Sequence, residues 1–218
     1  MNRRPTLLAA MALTAAAVLS LSACGSDDSS AGNDKIAGAD TGDTGSEASA
    51  SPSPTGSVQR PKVTLPSDVT DVFEGWETGD AAKDAVLADA SRRIDALAYA
   101  ITQGNADEPV LAYYYKGAAL VGASQWVKEF VDAKKSMTGE TRFFKPSVDV
   151  YAEGKATLTY CSFEGKAFVK DKATGEAAKT SVTDKSYLLY STRLEKSDKG
   201  VWQTAVLNSE RANSTCTP

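Results

Sequence analysis

Residues 138–163 read TGETRFFKPSVDVYAEGKATLTYCSF, and the fold turns on them. Thr138 and Gly139 mark the exit of a helical pattern. From Thr141 the apolar period becomes alternating, as in a strand with one face buried. Glu153-Gly154 falls between two such runs, Thr141 to Tyr151 and Lys155 to Phe163, where a turn is needed. Strands continue at about Ser186 to Glu195 and Val201 to Arg211, joined by a turn at Asp198-Lys199-Gly200. A weaker hairpin lies around Ala167 to Thr183, turning at Ala173-Thr174-Gly175. The last two strands carry Tyr187, Leu188, Leu189, Tyr190, Val201, Trp202, Val206 and Leu207. Being apolar on both alternations, they are expected at the centre of the sheet.

Upstream the period is helical. Asp80 is a fitting N-cap, Val86, Ala90, Ile94, Leu97, Ala98 and Ile101 form one apolar stripe, and Gly104 stands where a C-terminal glycine is expected. Pro109 opens a second short helix through Tyr113-Tyr114-Tyr115. A third runs from about Ala118 to Lys135, with Leu120, Ser124, Val127 and Val131 on one face. Before them, Val69, Val72, Phe73 and Trp76 suggest a short amphipathic helical turn. Helices followed by antiparallel strands give an α+β domain, its N-terminal helices packed on a curved antiparallel sheet.

The first residues carry a different message. Arg3 and Arg4 precede an apolar stretch from Leu7 to Leu21, and Leu21-Ser22-Ala23-Cys24 is a small-residue cleavage site ending in cysteine. That tetrapeptide resembles the lipobox of bacterial lipoproteins. The resemblance implies a diacylglyceryl group on the Cys24 thiol, cleavage after Ala23, and a mature protein lipid-anchored at the outer face of the cell membrane. The alternative, an uncleaved span, has some 17 apolar residues, marginal for a hydrocarbon core of about 30 Å. Arg3-Arg4 also suits a twin-arginine signal, so the export route stays open. The expected organisation is a signal peptide over 1–23, a lipidated tether over 24–60 and one α+β domain over 61–218. The tether is rich in Ser, Gly, Ala, Asp and Thr, too apolar-poor to fold, with an rms reach of about 30–36 Å.

Composition excludes several chemistries. The chain has no histidine, which removes Ser-His-Asp and Cys-His catalysis in their usual forms, His-ligated zinc and histidine pH sensing. Its net charge of -4 falls to -6 once Arg3 and Arg4 leave with residues 1–23, so nucleic acid is not an expected partner. No phosphate loop, nucleophile elbow or metal-ligand spacing occurs, and no cofactor or metal is expected. With Cys24 lipidated, Cys161 and Cys216 remain in an oxidising compartment, where one bridge is the natural arithmetic. Two buried reduced thiols are the alternative.

Several segments together carry a wider resemblance: Phe73-Glu74-Gly75-Trp76, Thr159-Tyr160-Cys161, Lys170-Asp171-Lys172-Ala173-Thr174-Gly175, Ser186-Tyr187-Leu188-Leu189-Tyr190 and Gly200-Val201-Trp202-Gln203-Thr204. With the lipobox and tether they look like a group of secreted actinobacterial-type lipoproteins, largely without assigned function. The group's domain is similar to the nuclear transport factor 2-like cone, in which helices close over a curved sheet. The resemblance implies a pocket between helices and sheet, used in some relatives for isomerase or dehydratase chemistry and in many for binding alone. It also supports the Cys161–Cys216 bridge.

Proton transfer in such a pocket needs a carboxylate of raised pKa opposite a tyrosine. Asp95 and Tyr99 lie one helical turn apart, and Asp149, Tyr160 and Tyr187 come from strands. The plainer reading has the tyrosines half-buried with hydroxyls at the rim and the acids solvated. Of the three consecutive rings Tyr113, Tyr114 and Tyr115, at least one is expected to be exposed or to line a cavity. Lys166, Lys170, Lys172, Lys179 and Lys185 gather near the weaker hairpin, either to touch anionic wall polymer or headgroups or as a solvated edge that discourages strand pairing. The expectation is a membrane-anchored, non-enzymatic module binding an unidentified small molecule or envelope protein. The alternative is a small Asp/Tyr pocket enzyme. A transporter's solute-binding component would need two lobes, which about 150 residues hardly supply.

Overall fold

The computed structural model describes residues 58–218. The expected signal peptide, Cys24 and the expected tether up to residue 57 lie outside them. The order of elements is β1 (Val69–Phe73), α1 (Ala81–Gln103), α2 (Pro109–Tyr114), α3 (Gly117–Asp132), β2 (Lys135–Ala152), β3 (Lys155–Asp171), β4 (Ala177–Ala178), a 3-10 turn at Asp184–Ser186, β5 (Tyr187–Lys196) and β6 (Trp202–Arg211). The α+β class holds: the short strand β1 precedes the three helices, and the remaining strands complete a curved, antiparallel-rich sheet ordered β1-β2-β3-β5-β6, with β4 paired to β3.

Helix α1 forms where its caps say it should. The Asp80 side chain accepts the N–H groups of Ala82 and Lys83, and Gly104 closes the other end in the left-handed region (φ 71°). The expected stripe is buried apart from half-exposed Leu97, and the buried arc is wider than the stripe, taking in Leu87, Asp89, Arg93, Ala96 and Ala100. This face meets Trp76, Phe143, Leu158, Tyr160, Leu194 and Trp202 from the sheet side. A second cluster joins the far end of α1 to α2, α3 and Val201. Burying each leucine-sized side chain contributes about 1.5–3 kcal/mol.

The long β2–β3 hairpin turns at Glu153-Gly154, as read, but both strands exceed the reading, β2 starting at Lys135 and β3 running on to Asp171. Helix α3 stops at Asp132, followed by Lys134 at a positive φ. Thr138-Gly139 is therefore no helix exit. Gly139 (φ 99°) lies inside β2 just before a register shift, and a Cβ there would collide with the Lys166 carbonyl oxygen. Register shifts at Glu140/Arg142 and Phe144/Ser147 bend the hairpin, which curves the sheet. The weaker hairpin is present, β4 pairing Val169 and Lys170 after the Ala173-Thr174-Gly175 turn.

Three further expectations are corrected. Val69–Phe73 is a strand, parallel to Gly139–Phe143 of β2, and not a helical turn; in five residues apolar spacing does not separate the two periods. Of the last two strands, β6 is not central but lies at the sheet edge. Its apolar residues are covered by helices, and the α2–α3 link caps its exposed side through a Tyr115–Thr204 bridge and the Lys116 N–H to the Thr204 carbonyl (3.0 Å). The domain also begins earlier than residue 61. Val58 and Val63 pack on the second cluster, the Tyr113 hydroxyl donates to the Gln59 carbonyl, and Arg60 forks onto Asp89 at 2.6 and 3.1 Å.

Cys161 and Cys216 are disulfide-bonded with Cα atoms 5.5 Å apart, both buried, so the reduced alternative is set aside. The bond fastens the C-terminal tail to β3. Closing a 55-residue separation is worth about 4 kcal/mol in the chain-entropy account.

Candidate binding site

Arg93 occupies the i+3/i+4 arc of α1 that would normally be apolar, and only 2% of it is exposed. Its Nη1 donates to the Tyr115 hydroxyl at 3.1 Å and its Nη2 to the Tyr160 hydroxyl at 2.6 Å. The guanidinium carbon lies 5.3 and 5.9 Å from the centroids of those rings. No carboxylate pairs with it among the described residues, and its Nε has no partner. An arginine stays charged in any protein interior, so this cation is balanced by hydroxyl dipoles and ring faces.

Tyr160 stacks on Tyr190, centroids 4.9 Å apart and planes 9° from parallel, and meets Trp76 edge-on at 5.4 Å. Burial raises the pKa of Tyr160, opposed by Arg93, and burial with the nearby Glu164 charge pushes Tyr190 well up. Both phenols hold their protons at neutral pH; the Tyr160 hydroxyl accepts from Arg93. The Tyr190 hydroxyl donates to Glu164 Oε1 (3.4 Å), while Glu164 Oε2 receives Arg211 Nη2 (3.1 Å). The stacked rings of Tyr160 and Tyr190 thus lie between the buried guanidinium and the Glu164–Arg211 pair.

That pair borders a cleft of about 270 Å³, with Glu164 and Arg211 on one wall and residues of the Thr180–Ser186 segment on the other. A smaller cleft of about 170 Å³ opens beside Pro66, Thr102 and Ser136, with Lys170 and Lys172. Neither is lined by the rings that fill the space between α1 and the sheet.

The tyrosines named from sequence divide. Tyr115 and Tyr160 converge on Arg93, against the expectation of hydroxyls at the rim. Tyr114 is fully buried, its hydroxyl unpartnered and raised to about 12 by burial; Tyr113 is half-buried and packs edge-on against it (5.0 Å). None of the three is exposed, because Tyr115 leaves the helix in an extended conformation and turns inward. None of them lines either cleft. Tyr99 packs half-buried on the second cluster, and Tyr187 sits against Phe163 (4.9 Å) away from the Arg93 group. Asp149 is exposed, as solvated acids should be. Asp95 departs from that expectation. It faces Asp71 of β1 within hydrogen-bonding reach, and burial together with the Asp95 charge pushes the Asp71 carboxyl up to about 7. Among the hairpin lysines, Lys166 pairs with Glu140 and Lys170 with Asp68, while Lys185 lines the larger cleft.

Sequence reading missed Arg93, Tyr190, Glu164 and Arg211. The one available signal was a charge at the spacing of the α1 stripe, since Asp89 and Arg93 both fall within the buried arc.

No family model matches the chain, and neither does any curated protein. Among solved structures it is similar to a ketosteroid isomerase-like protein from Erwinia carotovora atroseptica at 16% identity, covering 59% of this chain and 95% of that one with a TM-score of 0.40. A protein from Catenulispora acidiphila is 11% identical, with 62% and 98% covered and a TM-score of 0.41. The intermembrane-space region of the chloroplast protein ARC6 is 16% identical, with 47% and 77% covered and a TM-score of 0.30. At TM-scores below 0.5 these are likenesses only, and the activity named for the first belongs to that protein.

Proposed function

We propose that this chain is an exported lipoprotein, held at the outer face of the cell membrane by lipid on Cys24, whose nuclear transport factor 2-like domain is a binding module and not an enzyme. The observation that carries the second half is the filled interior. Trp76, Phe143, Tyr160 and the Arg93 group occupy the space between helices and sheet where a reaction chamber would lie, and the clefts open outside it. A proton-transfer site needs its raised carboxylate opposite a hydroxyl donor. The raised pair Asp71–Asp95 sits at the seam of β1 and α1, and no tyrosine hydroxyl bonds to it among the described residues. A pocket enzyme therefore has only that pair to recommend it.

The first half rests on the order Arg3-Arg4, apolar stretch, Leu21-Ser22-Ala23-Cys24. Cys24→Ser should move the protein from the membrane fraction to the soluble or uncleaved pool, as read by fractionation and immunoblotting. Undiminished membrane association of the cleaved variant would refute the anchor.

A further inference from the structure

We infer that the cleft between the Glu164–Arg211 pair and the Thr180–Ser186 segment binds a phosphate group carried on a larger polar molecule. The inference deepens the binding-module reading and rests on it.

The cleft's hydrogen-bonding capacity is one-sided. Its only carboxylate is Glu164, whose Oε2 takes Arg211 and whose Oε1 takes the Tyr190 hydroxyl and, at 3.5 Å, the Ser162 hydroxyl. Three of its roughly four acceptor sites are therefore taken internally. Thr183 and Ser186 cap each other reciprocally, each side-chain oxygen accepting the other's backbone N–H, so both hydroxyl protons are left to donate. The exposed side chains of Thr180 and Ser181 make no hydrogen bond among the described residues. Exposed Lys185 enters no ion pair there; only its carbonyl is used, taking Arg211 Nη1 at 2.5 Å.

With Arg211 balanced by Glu164, the Lys185 ammonium leaves the cleft with an excess positive charge, in a chain whose net charge is -4. The protein's overall field repels anions, so a local preference must come from these donors. Spare donors from four hydroxyls and one ammonium call for an acceptor-rich anion. A carboxylate offers two oxygens in one plane, whereas a phosphate directs its two or three unesterified oxygens tetrahedrally and can meet donors at several positions along the Thr180–Ser186 wall. The space, about 270 Å³, also accommodates the polar body to which the phosphate is attached.

The test uses the mature protein solubilised in detergent and titration calorimetry with three probes: inorganic phosphate, glycerol 3-phosphate and glycerophosphoglycerol, with acetate and glycerol as controls. Binding of a phosphate probe, weakened by added salt and at least about tenfold weaker in Lys185→Glu, supports the inference. Preference for glycerophosphoglycerol places the source in a headgroup or polymer diester, and preference for glycerol 3-phosphate in a free phosphorylated metabolite. The double variant Thr180→Val/Ser181→Ala, also at exposed positions, should weaken binding severalfold with an unchanged melting temperature. Phosphate probes no better than acetate, or equal affinity in Lys185→Glu, would overturn it. Fractionation of the Cys24→Ser protein reads the anchor separately.

Discussion

Asp89→Ala should lower unfolding free energy by about 3–5 kcal/mol, a large part of the 5–15 kcal/mol typical of a domain. Asp89 has no exposed surface and accepts four N–H groups: two from Arg60, one from Arg92 at 3.3 Å and the backbone N–H of Trp202 at 3.0 Å. Removing the carboxylate strands the Trp202 N–H inside the protein and frees the Arg60 fork, which ties the chain before β1 to α1. Asp80→Ala deletes only an exposed N-cap and sets the scale at about 1 kcal/mol. Urea unfolding of the mature protein measures both. Equal losses would show that Asp89 is not the joint described.

A second large effect is in pH. The folded pKa of Asp71 stands near 7 against 3.8 unfolded, so between those values the native state holds a proton that the unfolded chain has lost. Stability from this group is complete below about pH 4 and is lost as pH rises through 7. With no histidine in the chain, this dependence comes from the Asp71–Asp95 pair, both of whose carboxyls are raised by burial. At the acid end the sign reverses, because Asp171, held near 2 by Lys135 and backbone N–H groups, and Asp84, lowered by Thr78, stabilise only while ionised. Asp71→Asn keeps a donor toward Asp95 and removes the titration. Its melting temperature should be nearly flat from pH 5 to 8 and exceed the parent's at pH 8. A parent-like slope in the variant would place the proton elsewhere.

What the sequence made legible follows from where its signals were doubled. Helix α1 was readable because Asp80 and Gly104 mark both ends of a six-residue stripe, and the β2–β3 turn because Glu153-Gly154 interrupts two alternating runs. Strand β1 has five residues and a parallel partner some 70 positions away, so local periodicity could not choose its state. Gly139 looked like a stop because a glycine required by a bulge and one required by a helix end are the same letter. Strand β6 was misplaced because a register shift between its pairings to Leu194 and Arg193 breaks the alternation, so that both Trp202 and Leu207 reach the helix-packed clusters from an edge strand. The site was least legible. Arg93 meets Tyr115 and Tyr160 across 22 and 67 positions, and only the folded sheet brings Glu164 to Tyr190 and Arg211.

The whole placement of this domain depends on what stands at its mature N-terminus. Intact-mass analysis of the protein purified from membranes should give a chain beginning at Cys24, heavier than its residues by a glycerol carrying at least two acyl chains, with the Cys161–Cys216 bond intact. A membrane-purified chain that still begins at Met1, or one beginning at an unmodified Cys24, would contradict the account.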